Sequence, residues 1–371
     1  MGRAIVSCHS MNLLIAAVAS AAIVLASPFM GQLQSFLRRS LSTKNYVLLF
    51  GVGVLVAVGL AILLAWLRIR ERRAARFGLL LLAMVFGGSY MWLTATPWPE
   101  VNAVERVHFV EYGLIAYLFY RAFNRAGDPS IVVLPLLASF MVGTLDEALQ
   151  WFIPVRVGEA HDVFLNLASI SCGLMFALAL QPPPSFTMRT GRASVRRIST
   201  MAAAACLVFA VFVSEVHLGH AIDEPGIGRF HSHYTASQLA ALQSDRAARW
   251  KSDPPLRLRR LSQEDQYLDE GVWHVRRRNV TEPAEAWREN LILERYFAPV
   301  LDTATYASPQ ANRWSAEQRA DLERRGGALA MDFTSVAEPY PIVTWAKGPF
   351  WMMVLVVTAL LLAVPAIRRP P

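Results

Sequence analysis

Residues 106–120 read RVHFVEYGLIAYLFY, and residues 134–173 read LPLLASFMVGTLDEALQWFIPVRVGEAHDVFLNLASISCG. Three apolar, helix-length runs here carry His108, Glu111, Asp146, Glu147, Asp162 and Asn166. A polar side chain inside a hydrophobic span is costly, so such residues mark either a functional site or a packing network. The rest of the chain explains why these runs are read as spans. It has 371 residues, of which 54% are hydrophobic and 17% charged. A helix crossing a bilayer core needs about 20 apolar residues. Eight stretches meet or approach that length: 13–30, 47–67, 77–95, 107–123, 131–152, 163–180, 201–218 and 349–367. The expected fold is all-α, a polytopic transmembrane bundle of about eight spans.

Charge divides the chain further. Residues 221–347 hold 17 Lys/Arg and 18 Asp/Glu, a net of −1, against +8 for the whole. The excess positive charge therefore lies in the apolar part and its loops. That excludes a basic nucleic-acid-binding face in the polar segment and points to topology instead. Arginines crowd the loop after the second span (Arg68, Arg70, Arg72, Arg73, Arg76), the loop 121–130, the loop 181–199 and the C-terminal pair Arg368 and Arg369. With eight spans these share one side, which the positive-inside bias makes cytoplasmic. Segment 221–347 and the loops 97–106 and 153–162 then face outward. Arg38, Arg39 and Lys44 fall on the opposite side from that bias, beside Phe36-Leu37, where a short interfacial helix is expected. The first span is expected to be a retained signal anchor, although Val24-Leu25-Ala26 is a tolerable cleavage site. Cys8, Cys172 and Cys206 form no disulfide pattern.

Helical spacing groups the polar residues. His108, Glu111 and Tyr112 stand at i, i+3 and i+4 on one face. Asp146, Glu147 and Gln150 share a turn, and Asp162 and Asn166 are four apart. Asp146 lies roughly 22 Å along its span at 1.5 Å per residue. Glu111, Asp162 and Asn166 follow closely on re-entry from outside, so all three faces meet near one membrane surface. Arg156, in the loop after Pro154, is placed to reach back as a counter-ion. Two readings stay open: a buried hydrogen-bonded network that fixes helix packing, and an outward-facing pocket for a polar or cationic group. Within the second, Asp146 or Glu147 with His108 would suit acid–base chemistry on a lipid-linked substrate. The same carboxylates with Asp162 and Asn166 would suit a divalent cation. A small-molecule transporter is a further alternative.

The pattern His108-x-x-Glu111-Tyr112-Gly113, then Asp146-Glu147-x-x-Gln150-x-x-x-Pro154-x-Arg156, then Asp162-Val163-x-x-Asn166 and Gly173, resembles the VanZ-like family. That family is named for a protein associated with teicoplanin resistance. The family pattern usually has a glycine where this chain has Val155. The resemblance covers residues 77–181. It implies a bacterial inner-membrane protein whose acidic site, formed by those residues, acts at the cell envelope. The implied partners are membrane lipids, a lipid-linked wall precursor or a glycopeptide.

The chain then divides into N-terminal spans (1–76), the VanZ-like membrane domain (77–181), a cytoplasmic loop and seventh span (182–220), an extracytoplasmic, mainly helical domain (221–347) and a last span (348–371). In the polar domain, Thr235-x-x-Gln238 and Ser315-x-x-Gln318 have the capping-box pattern. Helices are expected at 236–250, 263–275, 283–300 and 315–326, with strand-like alternation scarce. Trp250, Leu261, Tyr267, Leu268, Trp273, Trp287, Leu291, Leu293, Tyr296 and Phe297 are its expected core. His217, His220, His231 and His233 are close enough in sequence to be considered as metal ligands, and a hydrogen-bonded collar is the competing reading.

Overall fold

The computed structural model describes residues 2–123, 127–153, 156–257, 263–327 and 332–367. Pro154, Val155, Arg259, Arg260, Leu261, Arg368, Arg369 and the Cys8 side chain lie outside the described part. The described chain is mostly helical. It divides into two compact units, Met1–Gln150 with Gly158–Phe212 and Trp351–Pro371, and Trp151–Val157 with Val213–Phe350.

The first unit is built from α1 (Gly2–Ser40), α2 (Thr43–Arg68), α3 (Arg73–Leu93), α4 (Pro99–Phe123), α5 (Ser130–Phe152), α6 (Ala160–Leu180) and α7 (Arg192–Val216), with most of the terminal α13 (Lys347–Ile367). Among the described residues seven of these are long and apolar enough to cross a membrane: α1, α2, α3, α5, α6, α7 and α13. This marks the chain as a multi-pass membrane protein. The eighth expected span lies in α4, which falls short of that apolarity. It carries Glu100, Glu105, Arg106, Glu111 and Arg121. It packs against α1, α2, α3 and α6, so much of its surface meets protein. The interfacial helix expected around Phe36 is instead the continuation of α1 to Ser40. Nothing between Met30 and Ser40 breaks the helix, because Pro28 is accommodated within it.

Small residues set how closely the helices approach. A Cβ on Gly173 of α6 would stand 2.4 Å from the Gly113 carbonyl oxygen of α4 and 2.5 Å from its Cα. The two backbones therefore touch, as small residues permit in membrane helices. Around this crossing Tyr112, Ala116 and Tyr120 of α4 pack with Ile131 of α5 and Ile170, Leu174 and Ala177 of α6. Ala16 of α1 joins Ile115, Phe119 and Ala138. The far end of α6 is closed by Arg76, whose Nε and Nη2 donate to the Ala179 and Leu180 carbonyls at 2.6 and 2.8 Å. These carbonyls are orphaned at a helix end, and a cation satisfies both hydrogen bonding and dipole.

The second unit opens with a hairpin, β1 (His220–Glu224) against β2 (Gly228–Ser232), which the sequence reading did not expect. The strands are five residues each, too short to show a periodicity of two. Gly226 and Gly228 have φ of +80° and +129°, conformations that favour glycine. The helices α8 (Ala236–Arg249), α9 (Gln263–Arg278), α10 (Pro283–Tyr296), α11 (Ala298–Asp302) and α12 (Ala316–Gly326) follow. Both capping boxes form, at Thr235 with Gln238 and at Ser315 with Gln318. The expected helix 283–300 is two helices, parted at Phe297 ahead of Pro299. The core holds Trp250, Tyr267, Leu268, Leu293, Tyr296 and Phe297 as expected, and Trp287 is buried as well. Trp273 and Leu291 are only half-buried, and Val272, Val275, Ile292, Val300 and Leu301 fill the interior in their place. Trp273 lies instead under the Arg276 guanidinium, 4.8 Å from its ring centre.

Candidate functional site

In the first unit, α1, α4, α5 and α6 each bring a polar side chain to one buried network. Asp146 is its hub. Its Oδ1 accepts from the Ser27 hydroxyl, and its Oδ2 accepts from the Tyr112 hydroxyl at 2.7 Å and the Gln150 amide at 3.0 Å. The same Gln150 amide nitrogen donates to Glu147 Oε1 at 3.0 Å. Asp146, Glu147, Gln150 and Tyr112 are all buried. A carboxylate out of water is tolerable only when its lone pairs are taken up, and three donors do this for Asp146.

A second branch runs through α4 to α6. The His108 ring stacks on Tyr112, with centroids 5.8 Å apart and planes within 17°. Its Nδ1 lies 2.7 Å from Asn166 Oδ1, so the ring nitrogen donates. Asn166 is 1% exposed, and its Nδ2 has no hydrogen-bond partner among the described residues. It sits against Gly143, where an added Cβ would come within 3.2 Å of it. Ser27, Asp146, Tyr112, His108 and Asn166 thus form one continuous polar path through four helices. Glu111 is half-buried and electrostatically close to Tyr112.

One turn back from Asn166, at the start of α6, stands a second cluster. One ligand atom from each of Glu159, His161 and Asp162 lies within 4.8 Å of the others, the single such group among the described residues. His161 Nδ1 is 3.4 Å from Asp162 Oδ1. Glu105, on the α4 turn before His108, is within electrostatic reach of Glu159. Among the described residues none of Glu105, Glu159 or Asp162 forms a salt bridge to lysine or arginine. Burial, together with the Asp162 charge, pushes the Glu159 carboxyl up to about 7.

The expected residues thus divide. His108, Tyr112, Asp146, Glu147, Gln150 and Asn166 form the buried network, and Asp162 belongs to the cluster at the helix start. Arg156 is half-buried in the Trp151–Val157 segment of the second unit, its amide bonded to the Ile153 carbonyl at 3.2 Å. The four histidines considered as metal ligands do not come together as a donor group. His217 Nδ1 meets the Pro341 carbonyl at 2.9 Å, His231 Nδ1 meets Glu338 at 2.7 Å, and His220 is exposed. His233 lies between Glu270, 2.8 Å from Nδ1, and the Val216 carbonyl, 3.0 Å from Nε2. His217, His231 and His233 are thus hydrogen-bonding posts.

Four participants escaped the sequence reading: Ser27, Glu105, Glu159 and His161. Ser27 gives no signal, since a lone serine in an apolar run is common. Glu159 and His161 were legible as Glu159-x-His161-Asp162 directly before an apolar run. The resulting class is a multi-pass helical membrane protein with an acidic and amide-rich site at one end of its bundle. No protein-family model, curated protein or solved structure matches the chain.

Proposed function

We propose that the first unit binds the cationic or polar end of an amphipathic envelope ligand, in the manner implied by its VanZ-like motif residues. The ligand class is a lipid-linked wall precursor, a lipid headgroup or a glycopeptide, held or shielded without being turned over. The observation that carries this reading is the contrast between the two tiers. Asp146 has its oxygens occupied by Ser27, Tyr112 and Gln150, which suits it to holding helices together. Glu105, Glu159 and Asp162 stand close together with no salt bridge to lysine or arginine among the described residues. An ammonium group, or a divalent cation bridging to a phosphate, is the chemistry that such a cluster takes. Glu159, His161 and Asp162 would supply the first ligands of a cation.

This reading sets the cluster on the outward face of a bacterial inner membrane, with residues 221–347 extracytoplasmic. Reporter fusions after Arg73 and Arg278 test that orientation, and a cytoplasmic signal at Arg278 reverses it. The function is tested by expressing the full chain in a bacterial host and measuring teicoplanin susceptibility. Binding of a lipid-linked disaccharide-peptide to the purified protein is measured alongside. The double variant Glu159→Gln, Asp162→Asn is expected to lose both binding and any protection. Unchanged binding by a folded double variant refutes the proposal.

One observation favours a second reading, a membrane enzyme. A carboxyl with a pKa of about 7 beside a histidine is matched to acid–base work at neutral pH. Glu159, rather than Asp146, would carry it. Turnover of a lipid-linked substrate abolished by Glu159→Gln, with binding retained, selects that reading.

A further inference from the structure

At the corner between α1 and α2 a cavity of about 260 Å³ is lined by Arg38, Leu41, Thr43, Tyr46, Trp98, Glu100 and Val101. Four observations bear on its occupant. First, Tyr46 is 1% exposed, yet its hydroxyl has no hydrogen-bond partner among the described residues. A buried phenol normally finds a partner, and this one stands in the wall of a cavity. Second, the lining carries one charge of each sign. Arg38 lies over the Tyr46 ring, 5.6 Å from its centre. Glu100 is near the Thr43 hydroxyl and within electrostatic reach of Arg38. The two do not close into a salt bridge with each other among the described residues.

Third, α2 begins at this cavity, and its next residues face outward as bare apolar surface: Leu48, Leu49, Val52, Leu55 and Val56 are all exposed. Exposed Trp98 is the amphipathic aromatic type found at membrane interfaces. Fourth, on the orientation proposed above, Arg38 and its neighbours Arg39 and Lys44 run against the positive-inside bias, so that orientation does not account for them.

We infer that this cavity holds the headgroup of a phospholipid whose phosphate is joined to a primary ammonium, an ethanolamine-type lipid. Arg38 takes the phosphate and the Tyr46 hydroxyl donates to one of its oxygens. Glu100 accepts from the ammonium, and the acyl chains lie along α2. A zwitterionic headgroup matches the paired charges better than a net anionic one. A trimethylated ammonium has no N–H for Glu100 and is bulkier. This site is separate from the acidic cluster of α4 and α6, and does not depend on what that cluster binds.

The test uses the full chain in detergent, with thermal unfolding followed as phosphatidylethanolamine, phosphatidylcholine or phosphatidylglycerol is titrated in. Phosphatidylethanolamine is expected to bind at least fivefold more tightly than either of the others. Arg38→Gln and Tyr46→Phe are expected to lower its affinity at least fivefold while leaving the lipid-free unfolding temperature unchanged. Arg38 is exposed, and Tyr46→Phe keeps the ring. Glu100→Gln is expected to remove the preference for ethanolamine over choline. Deacylated glycerophosphoethanolamine is expected to give no shift at the same concentration, and a shift equal to the lipid's assigns the site to a soluble headgroup and overturns the lipid. Equal affinity for the three lipids, or full affinity in Arg38→Gln and Tyr46→Phe, refutes the site.

Discussion

The crossing of α4 and α6 is where a single methyl group should tell most. In Gly173→Ala the new carbon would meet the Gly113 carbonyl oxygen at 2.4 Å, its Cα at 2.5 Å and its carbonyl carbon at 2.8 Å. Ordinary contact begins near 3.4 Å, so the helices must part by about 1 Å, and backbone cannot rotate aside as a side chain can. Overpacking of this kind costs roughly 1–3 kcal/mol. At about 2 kcal/mol, a domain of this size loses roughly 4–8 °C in unfolding temperature. The separation also passes to Asn166, two turns earlier on α6, and should weaken its 2.7 Å contact with His108. The assay is thermal unfolding of the full chain in detergent, read beside Gly88→Ala. Gly88 has nothing within 4 Å of its Cβ position, so alanine there should be neutral or slightly stabilising. If both variants unfold with the wild type, the α4–α6 contact is not the close crossing described.

Three further outcomes follow from the polar groups. Tyr112→Phe removes one of the three donors to Asp146 and should cost about 1.5–3 kcal/mol, as a hydrogen bond to a charged group does, measured by the same unfolding assay. In the second unit, burial alone would lower the His233 pKa, but its hydrogen bond to Glu270, the Glu270 charge and the Val216 carbonyl outweigh burial and raise it. Its contribution to stability is therefore complete below the unfolded value of about 6.5 and is lost as pH rises through the raised folded value. Glu270→Gln should remove that loss from the pH profile of unfolding. Glu159, with its carboxyl raised to about 7, ionises across neutrality, so calcium binding at the cluster should strengthen between pH 6 and pH 8. In Glu159→Gln that change should be absent by calorimetry.

How much of this was legible in the sequence depends on distance along the chain. Local rules carried far: both capping boxes and the starts of α8, α10 and α12 follow from residues three or four apart. The polar faces of α4, α5 and α6 were visible because their period is that of a helix. Which faces meet was not, because that depends on backbone approach at Gly113 and Gly173. Ser27 lies 119 residues before Asp146, and no spacing rule connects them. The hairpin of the second unit was hidden by its brevity, although Pro225-Gly226 and Gly228 marked the turn. The histidines looked like a ligand set because they cluster in sequence. In space each is claimed by a different carbonyl or carboxylate, or is exposed.

The polarity of α4 bears on how the protein is made. A charged residue at the centre of a spanning helix costs an insertion machinery roughly 2.5–3.5 kcal/mol, and α4 carries Glu111 at its midpoint with Glu105 and Arg106 less than two turns before it. Released by itself, such a segment gains little by leaving an aqueous channel for lipid. Its companion α6 is synthesised later, and only then do Gly113 and His108 find what they touch. Assembly of α4 with its neighbours is thus a step that translation must wait for, and a chain halted between α4 and α6 should remain with the insertion machinery instead of entering the bilayer.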